Sequence, residues 1–411
     1  MRTTQTLTLL LMSGIASAAL VGQASALEAQ AFVDRVVAVY GSVGYTIEFG
    51  AATLDGDTIT VDGATVSIEG LDDEPMQFDT ELTFSGVSAL EDGGYQVESL
   101  TIPDIDTDFA SEPTGHVSLS DIEVTDLYLP GGDTVPALAS LQLIGGITTG
   151  PLSVLRDGAE VVAYDSLEAL TSFNPAQGPD LVDLSSYMIV SGIVADLSSV
   201  SEEDPEAGAN IEALGLTTIS GDITQEMTWS MADGHLNISE FLFDFADQGA
   251  LNLTAEITGF TPEVLEQINA MQAGIPVEGE MTDEMAQQQM MQGMAIMQGV
   301  SIVGASVRYD DAGLAGRVLD FFAAQSGADR ASFVEGLKAT LPAMVAQSGI
   351  PALTDIVVPP VSDFLDNPES LEVAIAPPSP TSALVLMAAA ANPAGLITAL
   401  GLVVEANMPA E

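Results

Sequence analysis

The stretch that decides the fold is Leu236-Asn-Ile-Ser-Glu-Phe-Leu-Phe-Asp-Phe245, followed by Asp247-Gln-Gly249 and Ala250-Leu-Asn-Leu-Thr-Ala-Glu-Ile257. In both long runs apolar and polar residues alternate, which is the period of a β-strand with one apolar face. The short segment between them predicts a turn, because glycine accepts a positive φ at no steric cost. The run from Gly215 to Trp229 alternates in the same way. Together the three runs predict an antiparallel meander with one apolar and one polar face.

The chain before this meander shows the same period. One pair of runs, 58–61 and 64–68, flanks Asp62-Gly63, and a turn dipeptide between alternating runs predicts a hairpin. The remaining alternating runs upstream lie at 76–84, 95–102 and 116–129.

Helical signals dominate after the meander. In Thr261-Pro262-Glu263, an N-cap residue precedes a proline at the first helical position and an acid in the first turn. Spacings of three and four between apolar residues predict further helices over 27–43, 282–298, 314–325 and 329–347. The pattern as a whole predicts an α+β fold, with an extended, twisted antiparallel β-sheet, helices packed on one face, and helices concentrated in the C-terminal half.

The N-terminus has the three parts of a secretory signal peptide: Arg2, an uncharged run from Leu7 to Val21, and the small-residue site Ala24-Ser-Ala26. We therefore predict cleavage after Ala26 and a periplasmic or secreted protein; the alternative is an uncleaved membrane anchor. The chain has no cysteine, which excludes both disulfides and a lipid-anchored lipoprotein. The predicted organisation is a signal peptide over 1–26, a β-rich N-terminal region over 27–206 and an α+β region over 207–411.

The charge balance is extreme. The 411 residues include 60 Asp and Glu but only 7 Lys and Arg, for a net charge of −53, while 47% of residues are hydrophobic. That much apolar sequence supports a packed core rather than disorder. So negative a surface repels phosphate, which excludes a nucleic-acid partner. We interpret the acidity as adaptation to a salt-rich habitat, with a surface that holds divalent cations as the alternative.

One acidic segment is a candidate metal site. Asp104, Asp106 and Asp108 alternate in Pro103-Asp-Ile-Asp-Thr-Asp-Phe109, so in an extended strand their carboxylates point to one face. Close like charges disfavour one another unless a cation lies among them. The segment lacks the glycine after the third Asp and has Gly115, not Glu, at the twelfth position of a calcium loop. We name the three aspartates as candidate calcium ligands, with a solvated acidic strand face as the alternative.

No motif in the chain predicts catalysis or a cofactor. His116 and His235 lie in different β runs, and no nucleophile elbow, Walker loop or dinucleotide-binding glycine motif occurs. We predict a protein that is not an enzyme and has no cofactor, although paired carboxylates leave acid–base chemistry as a further hypothesis.

Methionines cluster in the predicted helix over 282–298. Met290, Met291, Met294 and Met297 offer soft thioether ligands of the kind that suit Cu(I). Three of them also form an i, i+4, i+7 stripe. Methionine is common on apolar helix faces, so the stripe also fits a packing surface. The alternatives are therefore a copper site and a packing or lipid-facing surface.

The last apolar stretch runs from Ala383 to Val404 without a charged residue. It is long enough to span a bilayer, but Asn392-Pro393 interrupts it and its flanks lack Lys and Arg. We predict a buried pair of helices and no stable transmembrane anchor.

Three segments carry a resemblance to uncharacterised exported proteins of alphaproteobacteria. They are Val307-Arg-Tyr-Asp-Asp-Ala-Gly-Leu-Ala-Gly-Arg-Val-Leu-Asp-Phe-Phe322, Phe364-Leu-Asp-Asn-Pro368 and Asn392-Pro-Ala-Gly-Leu-Ile-Thr-Ala-Leu-Gly401. The alternating runs before them are similar in pattern to YdgA- and AsmA-type envelope proteins. The resemblance implies a periplasmic, sheet-rich fold with a lipid- or envelope-related role, and it implies no catalytic residue.

An open sheet with one apolar face can offer a hydrophobic groove. We therefore expect a non-enzymatic periplasmic protein that binds lipid or another envelope component. The alternative is a structural or partner-binding envelope protein with no small-molecule ligand. The oligomeric state stays open.

Overall fold

A computed structural model describes residues 27–42, 44–68, 76–109, 114–132, 143–174, 183–200, 204–273, 283–390 and 393–409. Over these ranges the chain has 21 strands and nine helices, and eight of the helices begin after residue 200. The strands pair antiparallel. This confirms the predicted α+β class, the antiparallel sheet and the concentration of helices in the C-terminal half. The predicted signal peptide lies outside the described residues.

The strands are β1 (Tyr45–Phe49), β2 (Ala52–Asp55), β3 (Thr58–Ile68), β4 (Met76–Ser85), β5 (Ser88–Ala89), β6 (Tyr95–Ile102), β7 (Ile105–Phe109), β8 (Gly115–Leu119), β9 (Ile122–Leu129), β10 (Gly146–Thr149), β11 (Leu152–Arg156), β12 (Ala159–Tyr164), β13 (Ser166–Asn174), β14 (Asp183–Asp196), β15 (Thr218–Ser230), β16 (His235–Phe245), β17 (Gly249–Thr258), β18 (Ser301–Asp311), β19 (Ser370–Ile375), β20 (Thr381–Ser382) and β21 (Leu402–Ala406). The helices are α1 (Ala29–Gly41), α2 (Pro205–Ala213), α3 (Pro262–Ala273), α4 (Asp283–Gly299), α5 (Leu314–Ser326), α6 (Arg330–Ala346), α7 (Pro351–Asp366), α8 (Ala383–Ala390) and α9 (Pro393–Leu400).

The chain divides into two compact units. The first comprises Met1–Glu98 with Leu129–Val135, and the second comprises Ser99–Tyr128 with Pro136–Glu411. The division into regions that the sequence predicts at residue 206 stays a prediction.

The first unit has its core under α1. The apolar stripe of α1 is buried, and Phe32 is 0% exposed. Its ring meets Phe84 edge-on at a centroid distance of 5.0 Å and Tyr95 at 5.3 Å, a geometry that aromatic pairs favour. Ile59 and Val61 of β3 are also 0% exposed. Helix α1 therefore buries one face against strands, as its 3.6-residue period predicts.

Two side chains hold the segment after β9 in place within the first unit. The Arg35 guanidinium donates to the carbonyls of Pro130 and Gly132, each at 2.6 Å. The Asp92 carboxylate accepts from the backbone N–H of Gly94 at 2.9 Å and of Gly131 at 3.2 Å. The Gly94 bond is the main cause that lowers the pKa of Asp92.

The predicted hairpin at Asp62-Gly63 is wrong. Strand β3 runs through this dipeptide, and its register against β4 shifts between Asp62 and Ala64. β1 pairs with the second half of β3 and β2 with the first half, so the chain turns at Gly56 and Asp57 instead. Gly63 has a φ of 79° and lies at this register shift, so its positive φ accompanies an irregular strand pair rather than a turn.

The second unit contains the predicted meander. β15, β16 and β17 pair in sequence order, and their bounds match the alternating runs. The meander continues to β18, which returns after α3 and α4. Register shifts occur at Glu226/Met227 and between Ile238 and Leu242, and such bulges increase the local twist of a sheet.

Helices α5, α6 and α7 pack in succession. Lys338, the only lysine of the chain, donates from α6 to the Asp366 carboxylate on α7 at 2.7 and 2.8 Å. The sequence does not predict α7, because Pro359 and Pro360 interrupt its pattern and prolines normally break a helix. The tertiary contacts of α7 with α6 and β21 stabilise the helix despite these prolines.

The apolar C-terminal stretch forms the predicted pair of helices, α8 and α9, followed by β21. The prediction that this helix pair is buried is wrong at α8, where Val385 and Met387 are 52% and 53% exposed. No helix among the described residues is long and apolar enough to cross a bilayer.

Candidate functional site

The second unit carries a continuous line of paired residues across eight strands. Each member lies directly opposite the next in the strand register, so all eight side chains share one face of the sheet. We call this line the apolar row: Leu167, Val190, Ile223, Phe243, Leu251, Tyr309, Leu371 and Ala406.

The neighbouring line of residues shows why one face is apolar. Because successive side chains of a strand point to opposite faces, the residues one position away form the other face. There the register brings together mostly polar side chains: Glu168, Ile189, Thr224, Leu242, Asn252, Arg308, Glu372 and Glu405. The alternation in the sequence thus becomes two faces of different chemistry.

The apolar row is only partly covered. All of its members are intermediate in burial. Next to it on the same face, Val307 lies opposite Val373, and these two side chains are 46% and 43% exposed. With strands about 4.8 Å apart, the seven steps of the row span about 34 Å.

One end of this face is closed by a small core. Leu184, Trp229 and Met231 are buried there, and Phe260 and Leu265 pack against them. The indole N–H of Trp229 donates to the Phe260 carbonyl at 2.7 Å, which satisfies the one polar atom of the tryptophan. Helix α3, which contains Leu265, therefore covers the sheet at this end.

A polar cluster fixes the strand that carries Tyr309. Its hydroxyl lies 2.6 Å from the Gln248 carbonyl and 2.8 Å from the Asp311 carboxylate. Burial, followed by this hydrogen bond to Asp311, raises the pKa of Tyr309. Arg317 donates to the carbonyls of Leu214 at 2.7 Å and Asp247 at 2.8 Å. These polar residues of the segment 307–322 therefore hold elements together.

Arg308 has the same role on the polar face. It donates to the Asp310 carboxylate at 2.7 and 2.8 Å and to the Met408 carbonyl at 2.8 Å. Its third partner, Glu372, lies at 3.4 Å. These contacts join β18 and β19 to the segment after β21. The three strands β18, β19 and β21 lie at one side of the apolar row.

The three candidate calcium ligands are not brought to one point. Asp106 and Asp108 share a face of β7, and the His116 ring lies beside both, with Nε2 3.2 Å from Asp106 and Nδ1 2.8 Å from Asp108. Asp104 lies before β7 and accepts from the backbone N–H of Asp121 at 3.0 Å. Within the described residues, no three His, Asp or Glu side chains are arranged to hold a metal ion. Calcium binding stays a prediction.

The ring of the second histidine lies beside a glutamate. His235 Nε2 lies 2.7 Å from Glu256 Oε1, on neighbouring strands β16 and β17. Both side chains are more than one-third exposed, at 37% and 42%. The pair is a cross-strand contact at the end of a hairpin. The sequence prediction that the protein is not an enzyme stays a prediction.

The methionine cluster lies on α4 as predicted. Met290, Met291 and Met294 are 61%, 55% and 38% exposed. Met297, the fourth member of the cluster, is only partly exposed, so packing, a lipid-facing surface and a copper site all remain alternatives. All three stay predictions.

Fold and site together define an α+β protein whose antiparallel sheet has a partly open apolar face. A family model described as "Uncharacterized protein" matches residues 242–407, which is less than half of the chain. The match includes the members of the apolar row from Phe243 to Ala406. None of the curated proteins matches the chain.

Proposed function

We propose that the protein is an exported, non-enzymatic binding protein that holds lipid or another apolar envelope component against the apolar row. The observation that carries this proposal is the unbroken apolar register across eight strands, next to which Val307 and Val373 remain exposed. Soluble proteins rarely leave extended apolar surfaces open unless a partner or ligand covers them.

The energetics of an acyl chain fit such a surface. Each buried methylene contributes about 0.8 kcal/mol, so ten methylenes on the sheet supply about 8 kcal/mol before the entropy of binding is subtracted. The row needs no charged residue for this, in keeping with a ligand recognised by its apolar chain.

Export rests on the signal-like N-terminus. An acyl-binding protein in the periplasm would shield apolar chains from water between membranes. We therefore place the proposed function in the envelope. A structural or partner-binding role without a ligand is the alternative, and the experiment below distinguishes the two.

Native mass spectrometry of the mature chain, purified without detergent, tests the proposal. We expect co-purifying molecules with acyl chains that are released by gentle activation. A clean mass of the protein alone, together with a stable protein partner in a pull-down, would favour the structural alternative.

A matched set of variants tests the site. Val307→Gln with Val373→Gln makes the open part of the apolar face polar, and we expect about tenfold weaker binding of a fluorescent sixteen-carbon fatty acid, since two apolar contacts of about 0.7 kcal/mol each are lost. Val403→Gln is the control, because Val403 is 44% exposed and lies opposite Ala374 on the other face. Equal affinity of all three proteins would contradict the site.

A further inference from the structure

Two helices in contact expose large apolar side chains. On α4, Met290, Met291 and Met294 are 61%, 55% and 38% exposed; on α8, Val385 and Met387 are 52% and 53% exposed. The two helices touch each other. We call these five side chains the methionine patch. Water-exposed apolar groups of this size on adjoining helices are typical of a surface that binds another apolar surface.

Both helices are attached to the same end of β18. α4 ends at Gly299, two residues before β18 begins. β20 pairs with the start of β18, with Ser301 opposite Ser382, and α8 follows β20 directly. The Ala383 N–H donates to the Val300 carbonyl at 3.3 Å. β18 also contributes Tyr309 and Val307 to the apolar face, so the helices emerge from a strand of the proposed binding site.

The distribution of charge indicates which kind of surface the methionine patch can bind. Residues 285–307 and 373–404 contain no charged side chain, in a chain with 60 acidic residues. Glutamines stand between the methionines of α4, and they can donate to and accept from polar headgroups without carrying charge. Elsewhere the net charge of −53 repels anionic surfaces. A surface whose headgroups carry no net charge is therefore the complement of these two helices.

We infer that α4 and α8 dock on the surface of a zwitterionic lipid bilayer through the methionine patch. This inference rests on the proposed function, since a protein that binds lipid obtains its ligand from a membrane. Helices that bury an apolar face in the headgroup region bind by the apolar area they insert. Methionine suits this contact because its flexible thioether adapts to an irregular apolar surface.

Flotation of the mature chain with phosphatidylcholine vesicles tests the docking. The variant carries Met290→Gln, Met294→Gln and Met387→Gln, which keep side-chain length and are exposed, so the fold is retained. We expect at least about a tenfold lower partition coefficient for this variant. Met344→Gln on α6 is the matched control, because Met344 is 60% exposed but lies on another helix, and we expect wild-type flotation. With phosphatidylglycerol vesicles, flotation should be weaker at low salt and recover as salt is added.

Several results would overturn the inference: no flotation of the wild type, equal flotation of the triple variant, or stronger binding to phosphatidylglycerol. A dimer in light scattering that the triple variant dissociates would assign the patch to a second copy of the chain instead. The fatty-acid titration separates the two proposals. A wild type that binds the fatty acid but does not float rejects the docking alone. One that binds no fatty acid rejects the proposed function, whatever its flotation.

Discussion

Tyr40 lies near the end of α1, with its ring centroid 6.3 Å from that of Tyr45. Burial, with a smaller contribution from Tyr45, raises the pKa of Tyr40 to about 12. A phenol in such a site is kept neutral because its charged form would lose its hydration. The first unit thus contains a titratable group whose protonated form stabilises the fold.

The Tyr40 hydroxyl should make the protein sensitive to alkali. Below pH 10 the folded and unfolded chains are both protonated at this site; between pH 10 and the folded pKa, only the unfolded chain loses the proton. The stabilisation is therefore complete below pH 10 and is lost as pH rises towards 12. We expect the free energy of unfolding to fall by about 1 kcal/mol more between pH 9 and pH 11 in the wild type than in Tyr40→Phe, measured by urea titration. Parallel pH profiles would contradict the assignment.

The few positive side chains act as links between distant parts of the sequence. Arg317 joins α5 to Leu214 and Asp247, and Lys338 joins α6 to α7. Arg308 connects β18 to the segment after β21 through the Met408 carbonyl. Arginine can make several directed hydrogen bonds at once, so each of these residues stabilises a tertiary contact that no local pattern encodes.

At the scale of the elements, the turn from β16 into β17 depends on one glycine. Gly249 has a φ of 130°, and a Cβ there would collide with the Asp310 carbonyl oxygen. β18 approaches closely at this point, with Gly249 opposite Asp311. Both the conformation and the space therefore exclude a side chain.

We expect Gly249→Ala to lower the free energy of unfolding by about 2–4 kcal/mol, because the backbone of β17 or β18 must move. Gly336→Ala in α6 is the matched control. No atom lies within 4 Å of a Cβ built at Gly336, and alanine favours a helix over glycine by about 0.5–1 kcal/mol. Urea unfolding should show opposite signs for the two variants. A neutral Gly249→Ala would show that β18 is not held against this turn.

At the scale of the whole molecule, negative charge accumulates even within the sheet. Asp222 lies opposite Asp244, and Glu226 lies opposite Glu240, in the register of β15 and β16. Like charges directly across a strand pair are destabilising. Together with the net charge of −53, these pairs make self-repulsion a general cost of the folded state.

Salt should therefore stabilise the protein. We expect Tm to rise as NaCl increases from about 10 mM to about 1 M, since the Debye length falls from about 30 Å to about 3 Å. Glu226→Gln removes one opposed carboxylate, so this variant should have a higher Tm at low salt and a smaller rise with salt. Differential scanning calorimetry measures both. A Tm that is independent of salt in the wild type would contradict the interpretation of the acidic surface.

The sequence by itself determined the elements whose signal is local. The meander of β15, β16 and β17 follows from period-two alternation and its turn residues, and α3 follows from its capping sequence. Local signals failed at Gly63, whose positive φ accompanies the register shift between β3 and β4 rather than a turn. They failed again at α7, which exists despite Pro359 and Pro360.

The tertiary structure decided which apolar residues meet. Alternation predicted an apolar face for each strand, but the apolar row depends on registers between strands as far apart in sequence as β13 and β21. Those registers are set by bulges, by turns such as Gly249 and by links such as Arg308, and none of them is a property of a short window of sequence. The exposure of Met290 and Met387 likewise follows from the packing of α4 and α8, because a helical apolar stripe looks the same in sequence whether a neighbour covers it or not.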